Sequence, residues 1–157
     1  MGTSLITIRP FKVSDVSAAA ELELSNQPQP WTEGVFNDEL EGENRSYLVA
    51  EEDGLVGFAG VMVIGDEAHI TNLLVAPTHR RQGIGRRLMR RLIEDSIEQG
   101  ARHLTLEVRS KNLSAKALYS QFGLAPVGAR PGYYGDDDAQ TLWVHDIDRP
   151  EYLDQLT

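Results

Sequence analysis

Apolar positions recur at two spacings along this chain, and the switches between them outline its elements. Leu5-Ile6-Thr7-Ile8-Arg9-Pro10 alternates and is β-branched, which predicts a strand that Pro10 stops. Ser14-Asp15 caps a helix to about Ser25, with Val16, Ala19, Ala20 and Leu24 as its inward stripe. Pro28 and Pro30 make a rigid connector, and Thr32-Glu33 opens a short helix holding Val35, Phe36 and Leu40. Ser46 to Glu51 and Leu55 to Ile64 read as strands joined by the hairpin turn Glu52-Asp53-Gly54. After Gly65-Asp66 comes a strand from Ala68 to Val75. A long amphipathic helix follows from Gly83 to about Gln99, with Ile84, Leu88, Leu92, Ile93 and Ile97 on one face and Gly100 closing it. His103 to Val108 is a strand, Ser114 to Phe122 a helix, and Leu124 to Ala129 and Thr141 to Ile147 are the last strands.

The order β-α-α-β-β-β-α-β-α-β-β describes one α/β (α+β) domain over residues 1–148, with a mixed, mostly antiparallel sheet flanked by helices. Residues 149–157 are expected to form a loosely held tail. A length of 157 residues fits one domain, and 41% hydrophobic with 25% charged residues is the balance of a soluble globular protein. Met1-Gly2-Thr3-Ser4-Leu5 has neither a basic region nor an apolar run, and Val56 to Ile64 is too short to span a bilayer. These features point to a cytoplasmic protein with no membrane partner. The absence of cysteine removes a cysteine nucleophile and cysteine-held zinc. His69, His79, His103 and His145 lack metal spacing, so no metal is expected.

A net charge of −9 argues against nucleic acid. Yet Arg80, Arg81, Arg86, Arg87, Arg90 and Arg91 gather at the long helix, while acidic residues collect at Glu39 to Glu43, Glu51 to Asp53 and Asp136 to Asp138. Charge alone leaves two readings open: a solvated basic helix, or a polyanion site there with a basic partner at the acidic loops.

The stretch Asn72-Leu73-Leu74-Val75-Ala76-Pro77, continuing to Arg80-Arg81-Gln82-Gly83-Ile84-Gly85-Arg86, is the most informative. A strand ends, and Arg80-x-x-Gly83-x-Gly85 leads directly into a helix. A helix N-terminus presents N–H groups and the positive end of its dipole, so it attracts anions. Glycines admit phosphate oxygens close to the backbone, and arginines add charge-assisted hydrogen bonds. A P-loop would need Gly-Lys before Ser or Thr, and a dinucleotide fold a third spaced glycine where Leu88 stands.

Arg-x-x-Gly-x-Gly after Leu-Leu-Val-x-Pro resembles the acetyl-CoA pyrophosphate loop of the GNAT acetyltransferases, and the element order is similar to theirs. The resemblance implies the GNAT fold. It also implies acetyl-CoA as co-substrate, held by Leu73, Leu74, Val75, Arg80, Arg81, Gln82, Gly83, Ile84, Gly85 and Arg86. The pantetheine arm would pair with the end of the Ala68–Val75 strand, and backbone N–H groups near Leu73 to Val75 would polarise the thioester carbonyl.

Amine acetylation needs a base for the ammonium and benefits from an acid for the leaving thiolate. An α-amine has a pKa of roughly 7.7–8.0 and lysine about 10.4, so the demand on the base differs between acceptors. Glu107 faces the same side as Thr105 and Arg109 on its strand, as a solvent-facing or salt-bridged residue or as a base. Tyr119 is either a core aromatic or a proton donor. Leu106-Glu107-Val108-Arg109-x-x-Asn112, Ala115-x-x-Leu118-Tyr119, Phe122-Gly123-Leu124, Pro30-Trp31-Thr32 and Tyr133-Tyr134 are similar to the ribosomal-protein-alanine N-acetyltransferases, the RimI group.

That resemblance, over roughly residues 5–147, implies Glu107 as general base, Tyr119 as general acid and Asn112 as a coenzyme A contact. Trp31, Tyr133 and Tyr134 then face the acceptor, although Trp31 equally suits a staple on the second helix. Gly132 to Asp138 departs from the group, being acidic and glycine-rich where relatives often carry a proline. The implied function is transfer of acetyl to the N-terminal α-amine, alanine by resemblance, of a basic ribosomal protein, by direct attack in a ternary complex. A small amine or internal lysine is the alternative acceptor, and a non-catalytic acetyl-CoA sensor the alternative class.

Overall fold

The computed structural model describes residues 5–156; residues 1–4, read above for a targeting segment, and residue 157 lie outside them. Among the described residues, one open sheet contains β1 (Thr7–Pro10), β2 (Arg45–Glu51), β3 (Leu55–Ile64), β4 (Glu67–Val75), β5 (His103–Arg109), β6 (Ala125–Arg130) and β7 (Ala139–His145). Their order is β1-β2-β3-β4-β5-β7-β6. β4 and β5 run parallel, whereas β1–β2, β2–β3, β5–β7 and β6–β7 are antiparallel. The helices are α1 (Val16–Asn26), α2 (Glu33–Glu41), α3 (Ile84–Glu98), α4 (Leu113–Ser120) and α5 (Pro150–Asp154). The expected mixed, mostly antiparallel α/β architecture is present. β1 stops at Pro10 as expected, with Pro10 itself paired to Leu48, which an edge strand tolerates.

The chain forms two compact units, the first comprising residues up to Met62 with Thr71–Leu92. Its core gathers Val16, Ala19, Phe36, Phe58 and Leu74. Phe11 stacks on Phe36 at 5.8 Å and meets Phe58 edge-on at 6.4 Å. Thr32 caps α2 as expected, its Oγ1 accepting from the Val35 N–H at 3.3 Å. The stripe expected on α1 is rotated: Leu24 is exposed, and Glu23 takes the buried place beside Val16 and Ala19. Both stripes satisfy helical spacing, and the acidic one wins because Glu23 finds two hydrogen-bond donors. The guanidinium of Arg9 forks onto Asp15 at 2.8 Å and Glu51 at 2.9 Å, tying β1 to the start of α1 and to β2.

The second unit comprises Val63–Ile70 and the chain from Ile93 onward. Leu104, Leu106 and Val108 of β5 are buried, as their alternation requires. Thr105, on the other face, is buried too and donates through Oγ1 to the Leu142 carbonyl at 2.8 Å. Gly100 follows α3 with φ +97°, the left-handed conformation of a helix end. The tail expected to be loose instead carries α5, whose Tyr152 hydroxyl donates to the Phe122 carbonyl at 2.6 Å. Histidines distant in sequence meet here: His103 and His145 pair across β5 and β7 with Nδ1 atoms 3.1 Å apart. Among the described residues no group of three or more side chains has the arrangement of a metal site.

Candidate active site

In the first unit, the turn before α3 has the backbone of an anion cradle. Arg81 and Gly83 both lie in the left-handed region, at φ +65° and +77°, on either side of Gln82. Such turns direct successive N–H groups to one side, and the first turn of α3 leaves its own N–H groups without intrahelical acceptors. The first bond of the helix runs from the Arg87 N–H to the Gly83 carbonyl at 3.1 Å. Open space surrounds the position of a Cβ on Gly83, so glycine is required here by its φ and not by a neighbouring atom. Arg80 bends back, its Nε donating to the Val75 carbonyl at 3.3 Å, which fixes the turn to the end of β4. The residues present fit a diphosphate: donors, positive charge and a glycine at the helix start.

The Leu73 N–H, expected to face a thioester, donates to the Asn72 side chain at 2.9 Å. Leu74 closely approaches β3, because a Cβ on Gly57 would stand 3.1 Å from the Leu74 carbonyl oxygen. Trp31 packs edge-on against Phe36 at 5.3 Å and 6.5 Å from Tyr47. It is half-buried on the unit's core, which is the packing of a staple on the second helix, and part of its surface is left exposed.

In the second unit, Glu107 pairs with Thr141 on β7, and Thr141 with Gly128 on β6. Paired residues share a face, so the row beside the carboxylate ends in a residue without a side chain. The Glu107 Oε1 atom lies 3.6 Å from Arg130 Nη1, while Oε2 is buried and accepts no hydrogen bond. Arg109, two residues along the same face, is held 2.7 Å from Asp136 and lies 4.4 Å over the Tyr134 ring. Burial, with the charge of Glu107 second, raises the Tyr134 phenol above its usual value. Tyr119 is buried on α4, and desolvation, reinforced by Tyr134, pushes its hydroxyl up to about 12. It is therefore a phenol throughout the neutral range, the state of a proton donor.

Asn112 caps α4, its Oδ1 accepting from the Ala115 N–H at 3.2 Å. The carboxylates of the acidic loop are bonded within the loop and to its neighbours, with Asp136 and Asp138 exposed. Asp136 holds Arg109, Asp137 accepts from the Lys111 N–H at 2.9 Å, and Asp138 accepts from the Gly132 N–H at 2.8 Å. These bonds present Tyr133 and Tyr134, whose rings meet edge-on at 5.0 Å. Arg130, 5.5 Å over the Tyr133 ring, is a site residue that the sequence did not reveal. No spacing links it to Glu107, whereas Arg109 was legible as the next residue on the Glu107 face.

The mixed, mostly antiparallel sheet with its flanking helices is an acyltransferase fold. The chain belongs to the acetyltransferase (GNAT) family, whose model matches residues 16–124, and it is an N-acetyltransferase. It is 37% identical over 149 residues to the N-alpha-acetyltransferase RimI of Mycobacterium tuberculosis (strain ATCC 25618 / H37Rv), covering 89% of this chain and 92% of that one. A Bacillus subtilis (strain 168) protein, provisionally named a ribosomal protein bS18-alanine N-acetyltransferase, is 40% identical over 87% of this chain and 93% of its own. The crystal structure of the ribosomal-protein-S18-alanine N-acetyltransferase from Escherichia coli superposes with a TM-score of 0.82. It is 33% identical, with 90% of this chain and 94% of that one covered.

Proposed function

We propose that this enzyme transfers the acetyl group of acetyl-CoA to the N-terminal α-amine of a protein, the alanine of ribosomal protein bS18. The observation that carries the reading is Glu107: one buried carboxylate oxygen has no donor, on a strand face that also bears Arg109. An acceptor ammonium supplies the missing donor, and the carboxylate then takes its proton, directly or through water. Acetyl-CoA supplies an activated acyl group as a thioester. The turn at Arg80 to Arg86 holds the diphosphate, and Asn112, at the head of α4, contacts coenzyme A. Tyr119, neutral at physiological pH, donates a proton to the departing thiolate. The chain has no cysteine to carry the acyl group, which favours direct attack by the amine in a ternary complex. Tyr133 and Tyr134 frame the acceptor, and the names of the relatives supply its identity.

The test is mass spectrometry of a peptide with the bS18 N-terminal sequence after incubation with acetyl-CoA. A 42 Da gain (roughly one acetyl for one hydrogen) placed on the first residue by fragmentation supports the reading. Acetylation of internal lysines alone contradicts it.

A further inference from the structure

Glu23 is a buried ionisable side chain that the proposed chemistry leaves unused. A carboxylate enters an apolar setting at considerable cost unless its oxygens are hydrogen-bonded, and here both are. Oε1 accepts from the Trp31 N–H at 2.8 Å, and Oε2 accepts from Asn72 Nδ2 at 3.3 Å. Burial raises this carboxyl, and the two donors draw it part of the way back. At its other end, the Asn72 amide oxygen accepts from the Leu73 N–H at 2.9 Å. A continuous polar chain thus runs from the connector before α2, through α1, to the backbone of β4. Nothing in helix formation calls for an acid at this place; a leucine would complete the apolar stripe of Val16 and Ala19.

We infer that Glu23 is a positioning residue that holds the Trp31 connector in register with Asn72 and Leu73 of β4, and so sets acceptor affinity. The inference rests on the reading that a peptide amine is acetylated and that Trp31, expected from the resemblance to face the acceptor, lies beside that peptide. Glu23 touches no reacting atom in this scheme. It acts through the connector, whose backbone it grips immediately before the Thr32 cap of α2.

The test exchanges the polarity of the Glu23–Asn72 link. Glu23→Gln sets two amide donors against each other, and Asn72→Asp sets two carboxylates against each other. The double variant E23Q/N72D reverses donor and acceptor and closes the link again. Steady-state kinetics would use acetyl-CoA and an alanine-starting basic peptide, with thermal unfolding followed for each variant. Each single variant is expected to raise the peptide KM by on the order of tenfold, with kcat and the acetyl-CoA KM within about twofold. The double variant is expected to return the peptide KM to within about threefold of wild type.

A double variant no better than the worse single variant overturns the inference, as does a loss confined to kcat or to the acetyl-CoA KM. Should a single variant fail to fold, Asn72→Ala, which opposes no like groups, carries the same expectation for the peptide KM. A wild type that acetylates no free peptide N-terminus overturns the underlying reading. A wild type that does so, with single variants of unchanged peptide KM, overturns this inference alone.

Discussion

Arg130 lies 3.6 Å from one oxygen of Glu107 and leaves the other oxygen, buried, with no donor. The paired oxygen keeps a cation near the carboxylate, and the unpaired one waits for a proton donor. If Glu107 is the base for an α-amine, Glu107→Gln should lose most activity at low pH, where the acceptor is mainly protonated. The deficit should shrink well above about pH 8, where the amine is already free. Profiles of kcat and KM from about pH 6 to 9.5 on an alanine-starting peptide check this. A kcat deficit equal at every pH removes the role from Glu107.

Tyr119 is held neutral by its surroundings, with burial pushing the hydroxyl up to about 12. Tyr119→Phe keeps the ring and removes the proton. A drop in kcat of about 10²- to 10⁴-fold with nearly unchanged acetyl-CoA affinity is expected. A loss below about threefold would make Tyr119 a packing residue.

Gly83 adopts φ +77° with open space where a side chain would begin. Gly83→Val would put a branched side chain where the diphosphate is to rest, at a φ that a β-branched residue rarely adopts. Calorimetry should show acetyl-CoA binding weakened by at least about tenfold in a folded variant. Unchanged affinity would place the diphosphate elsewhere.

Much of this was legible in the sequence because it is local. Thr32 caps α2, and Gly100 takes the left-handed end of α3. The turn at Arg80 to Gly85 and the strand bearing Glu107 likewise announce themselves by spacing. What escaped depends on partners distant in the chain. Leu24 and Glu23 are equally compatible with helical spacing, and only Trp31 and Asn72 decide between them. The bonds that the aspartates of the 132–138 loop make to Arg109, Lys111 and Gly132 were not legible either. The tail looked loosely held because its anchor, the bond from Tyr152 to the Phe122 carbonyl, spans 30 residues.

The hydrogen bonds of Arg9, aided by the Lys12 N–H, hold the Asp15 carboxyl below the usual aspartate range. Its folded pKa is depressed, so the stability it provides is present above the unfolded value near 3.9 and lost as pH falls through the folded value. Asp15→Asn should be less stable than wild type at pH 7 by on the order of 1–2 kcal/mol. Urea unfolding should show that gap narrowing once pH drops below about 4. A gap that stays constant down to about pH 2 would mean that the carboxylate's charge contributes nothing.

Gly60 sits opposite Tyr47 in the β2–β3 pairing, and a Cβ there would overlap the Tyr47 ring. The ring has little freedom to retreat, since its hydroxyl is fixed by Glu39 at 2.6 Å and Thr71 at 2.8 Å. Gly60→Ala should destabilise the fold by about 1–3 kcal/mol, read from the urea midpoint. A neutral result would show that the ring moves freely.

The central claim, that acetyl goes to an N-terminal α-amine, is tested most directly by a matched pair of peptides. Both carry the same basic sequence beginning with alanine and containing an internal lysine, and one is blocked at its N-terminus. The measurement is kcat/KM for thiol release from acetyl-CoA with each. The free peptide should be preferred by at least about a hundredfold, because blocking removes the reacting amine itself. Equal rates on the two peptides would contradict the account and assign the enzyme to lysine side chains.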